Sequence, residues 1–95
     1  MLIMDFASRF GENLARCRKE AGLSQEQLGL RASLHRTEIG LLERGERVPR
    51  IDTLVKISGA LQIPTSHLVD GIRWKPTESS GGEFSFVLPA PARSK

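Results

Sequence analysis

The chain has 95 residues, 26% of them charged and 39% hydrophobic, with a net charge of +3 and a pI near 9.6. That length holds one small core and not two, in a mildly basic composition that permits a nucleic-acid partner without demanding one. One cysteine and two distant histidines exclude a disulfide framework and a multi-cysteine zinc site, and no cofactor is expected.

In chain order, Met1 to Phe10 carries Asp5 and lacks a basic region leading into an apolar run. No signal peptide is expected there, and nowhere do 18 apolar residues run together, so the chain reads as soluble and cytoplasmic. From Phe6, the residues Phe6, Phe10, Leu14, Cys17 and Ala21 recur at helical spacing, with Ser8, Arg9, Glu12, Asn13, Arg16, Lys19 and Glu20 on the other side. Gly22 is suited to ending this helix. Cys17 lies on the apolar stripe and reads as a small core hydrophobe rather than a reactive thiol.

Ser24-Gln25-Glu26-Gln27 is a capping box, with Leu23 before it placed to staple onto Leu28. It predicts a short helix over Gln25–Ala32. A third helix reads from Arg36 to Arg44 with Ile39 and Leu42 inward and Gly45 as its stop. Val48-Pro49 marks an extended break. A fourth helix spans Ile51–Leu61 with Leu54, Ile57 and Leu61 inward, and a fifth runs from Pro64-Thr65 through Val69, Thr65 serving as its cap and Gly71 as its end. The fold class is therefore all-α: a compact five-helix bundle over residues 1–71.

After Gly71 the character changes. Ile72–Lys75 and Glu83–Leu88 are β-prone segments around a Ser-Gly turn, able to pair as a hairpin. An isolated hairpin is marginal in water, so residues 72–95 need the bundle or a second chain to pack against. Disorder is the competing reading; Trp74, Phe84 and Phe86 argue against it and are candidate dimerisation residues. Pro89 to Lys95 is expected to fray.

A short capped helix, a turn, and a second short helix with Ile39 and Leu42 three apart form a helix-turn-helix pattern. The pattern extends further: Phe10-Gly11, Leu14, Arg18, Gly22-Leu23-Ser24-Gln25 and Leu28, then Ile39, Leu42-Glu43-Arg44-Gly45 and Pro49, then Leu54, Ile57, Ala60-Leu61 and Leu68. In this ordered combination the chain resembles the Xre/Cro–cI family of DNA-binding transcriptional regulators, whose fold is the lambda-repressor-like domain. Three positions depart from the family pattern. Ser33 stands where the turn usually has glycine, which asks a non-glycine residue for positive φ. Gly29 replaces the usual alanine, at a helix-propensity cost of ~1 kcal/mol. His35 replaces the usual Ser or Thr cap, leaving that N-terminus less well satisfied.

The resemblance implies that the second motif helix enters the major groove of double-stranded DNA by its N-terminal end. His35, Arg36, Thr37 and Glu38 are the exposed residues there. Arg36 can fork onto guanine or hold a phosphate, Thr37 can meet a base edge or a thymine methyl, and Glu38 can accept from cytosine while repelling phosphates. Leu41 is either a thymine-methyl contact or a core or dimer-interface leucine. Gln25 is a backbone-positioning contact or a plain surface residue. Arg47 and Arg50 are phosphate anchors in the family's loop or a solvated charge run. Arg18 and Glu43 match family positions that form an ion pair between the first and third helices, a structural role.

The expected function is a sequence-specific regulator acting as a homodimer on a pseudo-palindromic site, with no membrane and no small-molecule ligand. The alternative is a protein-interaction module, such as an antitoxin or bridging factor, whose C-terminal segment adds a strand to a partner. No Ser-His-Asp, Cys-His, paired-carboxylate or phosphate-cradling arrangement points to an enzyme.

Overall fold

Asp5 opens the first helix, α1 (Phe6–Glu20), by accepting the Ser8 amide at 2.8 Å. That backbone hydrogen bond, with help from the Ser8 hydroxyl, holds the Asp5 carboxyl below the usual carboxylate range because the charged form is the better acceptor. The computed structural model describes residues 5–88. Phe10, Leu14 and Cys17 point inward from α1, while Ala21, the last residue of the expected stripe, is the exposed C-cap. Burial pushes the Cys17 thiol up, away from thiolate.

Ser24 caps α2 (Gln25–Ala32) with both halves of the capping box formed: its hydroxyl accepts the Gln27 amide at 3.0 Å, and the Gln27 side chain accepts the Ser24 amide at 2.8 Å. Helix α3 (Arg36–Glu43) follows a three-residue turn, and α4 (Ile51–Leu61) starts after the extended Val48-Pro49 segment. The core these helices share contains Phe10, Leu14, Leu28, Ile39, Leu42, Ile57 and Leu68, none of which has exposed surface. Each such side chain contributes about 2 kcal/mol by leaving water. At the α1–α3 crossing, a Cβ on Gly11 would lie 2.5 Å from the carbonyl oxygens of Leu42 and Glu43. Glycine there lets the two backbones touch.

The expected fifth helix is a single 3-10 turn, Thr65–His67, so the described residues hold four α-helices and a two-stranded sheet rather than five helices. Pro64, not Thr65, is the cap position, and it offers no side-chain hydrogen bond. Only six residues lie between Pro64 and Gly71, whose φ of +78° ends a helix, and they close with i→i+3 bonds, His67 N–H to Pro64 O at 3.1 Å and Leu68 N–H to Thr65 O at 2.9 Å. The Asn13 side-chain amide donates to the carbonyls of both Leu68 and Asp70, each at 3.0 Å, and so anchors the end of this turn to α1. Ile72 N–H meanwhile turns back to Val69 O at 3.1 Å.

Strands β1 (Ile72–Pro76) and β2 (Gly82–Phe86) pair antiparallel, with Ile72 opposite Phe86, Trp74 opposite Phe84 and Pro76 opposite Gly82. β2 ends earlier than the expected Leu88. The hairpin lies against the start of α1. Phe84 packs on Phe6 with ring centroids 5.3 Å apart and meets Trp74 edge-on at 5.1 Å. The Arg9 guanidinium donates to Val87 O, and Val87 N–H to Gly71 O at 2.9 Å. This corrects the reading of α1 as having one buried stripe: Arg9 and Asn13, expected on the solvent side, are 4% and 0% exposed. Both hold the segment that follows Leu68. The expected fraying of Pro89–Lys95 lies outside the described residues.

Candidate nucleic-acid interface

The turn between α2 and α3 is built on two unusual positions. Ser33 adopts the left-handed conformation at φ 58°, ψ 42°, the role its position required of a non-glycine residue. A Cβ on Gly29 would lie 2.6 Å from Leu34 O, and Leu34 N–H donates to Gly29 O at 2.8 Å. Gly29 is thus needed for the close approach of the turn, and its weaker helix propensity is the cost of that fit.

His35 caps α3 after all. Its Nδ1 accepts the Thr37 amide at 3.0 Å, so the expectation of a poorly satisfied N-terminus is overturned. An imidazole nitrogen with a lone pair does the work of a Ser or Thr hydroxyl. Sequence reasoning ranked His35 as a departure because histidine is an uncommon cap, although its geometry permits the bond. Arg36 and Thr37 follow in the first turn, both exposed, and no carboxylate among the described residues lies within ion-pair distance of Arg36.

The remaining residues of this surface are more constrained. Glu38 is half-buried and ion-paired with Arg47. Arg44 pairs with Glu46 at 3.0 Å, and Arg50 with Asp52 at 3.2 Å, the Arg50 side chain being 83% exposed. Each of the three arginines after α3 therefore carries its own carboxylate. Leu41 is half-buried and lies one turn beyond Thr37.

Behind this surface, Arg18 ties α1 to α3. Its Nε donates to Glu43 Oε2 at 2.5 Å and its Nη2 to Glu43 Oε1 at 3.0 Å, with Nη1 on Leu23 O at 2.9 Å. The hydrogen bond to Glu43 raises the Arg18 pKa further above its ordinary value. Gln25 joins the same cluster, its Nε2 donating to Glu43 Oε1 at 3.0 Å. One carboxylate thus gathers side chains from α1 and α2 onto the end of α3. The sequence pattern paired Arg18 with Glu43 but gave no signal that Gln25 shares the acceptor. Trp74 and Phe84, on the hairpin, are exposed and away from this cluster in sequence, and Phe86 is half-buried.

Residues 14–68 match the family model HTH_3, described as helix-turn-helix. The chain belongs to this helix-turn-helix family. The match spans α2, the Ser33 turn and α3, together with the second half of α1 from Leu14 and all of α4, and it ends at Leu68, before the hairpin. The HTH-type transcriptional regulator y4dJ of Sinorhizobium fredii is 38% identical over 66 residues, covering 70% of this chain and 86% of the relative. Control protein C.BamHI of Bacillus amyloliquefaciens is 39% identical over 62 residues, covering 64% of this chain and 76% of its own length. Among solved structures, the restriction-modification controller protein C.AhdI of Aeromonas hydrophila superposes with a TM-score of 0.64 at 35% identity. The superposition covers 65% of this chain and 94% of that one. The P22 c2 repressor, solved in complex with a synthetic operator, gives a TM-score of 0.61 at 31% identity over 65% of this chain and 94% of its own. Membership in a family of DNA-binding transcriptional regulators agrees with the exposed helix end described above. No helix among the described residues is long and apolar enough to cross a membrane.

Proposed function

We propose that this regulator binds double-stranded DNA as a homodimer on a pseudo-palindromic site, presenting α3 to the major groove. The observation that carries this reading is the first turn of α3, where Arg36 and Thr37 stand exposed beside a formed His35 cap. Arg36, free of any carboxylate among the described residues, is the guanine reader, and Thr37 contacts a neighbouring base edge or thymine methyl. Leu41, half-buried and one turn beyond Thr37, offers its exposed part to a thymine methyl.

Glu38 holds Arg47 in the free protein and is released to face the base edges when Arg47 takes a phosphate. Arg47 and Arg50 hold phosphates, exchanging their carboxylate partners for the DNA backbone as they dock. Gln25 contributes the N-terminus of α2, whose free amides favour a phosphate. Its side-chain amide, engaged with Glu43, sets the helix in place. A DNA target makes the cytoplasm the working compartment. The likeness to the P22 c2 repressor, solved in complex with a synthetic operator, supports the DNA-binding reading.

Selection of bound sites from random duplex DNA tests the reading. The expected product is a two-fold symmetric sequence with half-sites about 10 bp apart or a multiple. Arg36→Ala should weaken the selected site by about ten- to hundredfold while leaving random DNA nearly unchanged. Arg50→Ala should weaken both alike and lower the salt dependence by about one unit of slope per protomer. An equal loss on both substrates for Arg36→Ala would remove it from base reading.

A further inference from the structure

The two edges of the hairpin are not equivalent. Thr77 N–H donates to Gly81 O at 3.2 Å and Val87 N–H to Gly71 O at 2.9 Å, which places the bonded pairs of this ladder at odd-numbered positions. In an antiparallel ladder the intervening residues direct their N–H and C=O outward. On β1 these are Ile72, Trp74 and Pro76. Ile72 N–H is already bonded to Val69 O, and Pro76 has no N–H, so this edge keeps one donor. On β2 they are Gly82, Phe84 and Phe86, and none of their amides has a partner among the described residues. Proline and local capping are how proteins close a strand edge. Here the β1 edge keeps one donor and the β2 edge keeps all three.

We propose that the open edge of β2 pairs antiparallel with β2 of a second copy of this chain, about a two-fold axis at Phe84, joining two hairpins into one four-stranded sheet. The inference rests on the homodimer reading above and names the surface that makes it. A strand paired with its own copy is self-complementary by symmetry, as an isologous interface must be. In this register Phe84 faces Phe84 of the second copy, and the row across the sheet runs Trp74, Phe84, Phe84, Trp74. Trp74 and Phe84 are 53% and 45% exposed in one chain, so the row has surface left to bury.

The polar face agrees. Because Lys75 lies opposite Glu83 and Arg73 opposite Ser85, the row there becomes Lys75, Glu83, then Ser85 and Arg73 of the second copy. No like charges are adjacent. A register shifted toward the turn would set Glu83 against its own copy and run into Gly81 at φ +83°. The opposite shift would leave Glu83 facing Val87. The hairpin also lies beyond the family match that ends at Leu68, so this surface is particular to the chain's C-terminal extension.

Ser85 gives a test in which the two possible effects have opposite signs. Ser85→Glu places a carboxylate opposite Arg73 within the hairpin, which favours the hairpin itself, but opposite Glu83 of the second copy, twice by symmetry. Ser85→Lys reverses both. By sedimentation equilibrium of the full chain, Ser85→Glu should raise the dimer dissociation constant about three- to tenfold, and Ser85→Lys should lower it. Equal constants for both variants and the parent, with two copies still occupying the selected DNA, would overturn the edge pairing while leaving the homodimer intact. The exposed Ile51 and Val55 of α4 would then be the surface to examine. A parent chain that occupies its DNA site as a single copy would overturn the homodimer reading and the edge pairing together.

Discussion

The helical bundle and the hairpin are held by different kinds of contact. The bundle buries seven large apolar side chains completely and locks its helix pair through one carboxylate, Glu43, gripped by Arg18 and Gln25. The hairpin leans on α1 through one aromatic contact, Phe6 to Phe84, and through Arg9, which reaches Val87 O, while Asn13 holds the carbonyls of Leu68 and Asp70 just before it. A single helix serves both. One side of α1 is an apolar stripe made for the core, and the neighbouring side carries the buried polar residues that hold the C-terminal segment. The contrast shows how an added element can be attached to a complete fold: carbonyls of the new segment accept donors from a helix whose apolar face is already used.

The difference can be broken at its strongest point first. Glu43→Ala leaves the Arg18 guanidinium nearly buried without its acceptor, with side-chain exposures of 12% for Arg18 and 8% for Glu43. A loss of about 3 kcal/mol of unfolding free energy is expected in urea titrations. The loss should shrink when Arg18→Met is added, because the uncompensated charge is then gone. A double variant no better than the single one would mean that the carboxylate matters chiefly through Gln25.

Arg9→Ala probes the hairpin's attachment instead. It removes the bond to Val87 O and opens space beside Gly71, and should cost about 1–2 kcal/mol in stability. Its signature is local: faster amide exchange at Val87 and increased Trp74 mobility, with the amides of α2 and α3 unchanged. Global loss of protection across α3 would show that the hairpin and bundle unfold as one unit.

His35→Ala removes the cap of α3 and should cost about 1 kcal/mol, whereas His35→Asn should restore most of it. DNA affinity should follow the same order, because the cap fixes the turn that presents Arg36. The smallest effect belongs to Asp5. Its folded-state pKa is lowered, so its contribution is fully present above the ordinary carboxylate range and is lost as pH falls through the lowered value. Asp5→Asn should therefore lower stability slightly near neutrality and flatten the acid limb of the profile, the two proteins converging at low pH where Asp5 is protonated.

Much of the bundle was legible because its signals are local. The Ser24 capping box, the bounds of α2 and α4 and the stripe Phe10, Leu14, Cys17 each depend on residues within a few turns of one another. The positive φ demanded of Ser33 was legible for the same reason. The His35 cap was local too, and was misjudged only because residue preferences rank histidine low.

What remained hidden depends on partners that sequence spacing does not bring together. Amphipathic patterning placed Arg9 and Asn13 on the solvent side of α1, since nothing local shows that a segment 55 to 78 residues away will cover them. The same coverage fixes the carbonyls of Leu68 and Asp70 beyond the single 3-10 turn that stands where a fifth helix was expected. Gln25 became part of the Glu43 cluster across 18 residues, and Arg47 found Glu38 across nine. The sequence alone thus determined the helix-turn-helix reader and the residue types at its exposed end, because caps, turns and periodicity act over one or two helical turns. Only the tertiary structure decided which arginines carry a carboxylate and which hairpin edge stays open, because those depend on which donors and acceptors meet when distant segments pack.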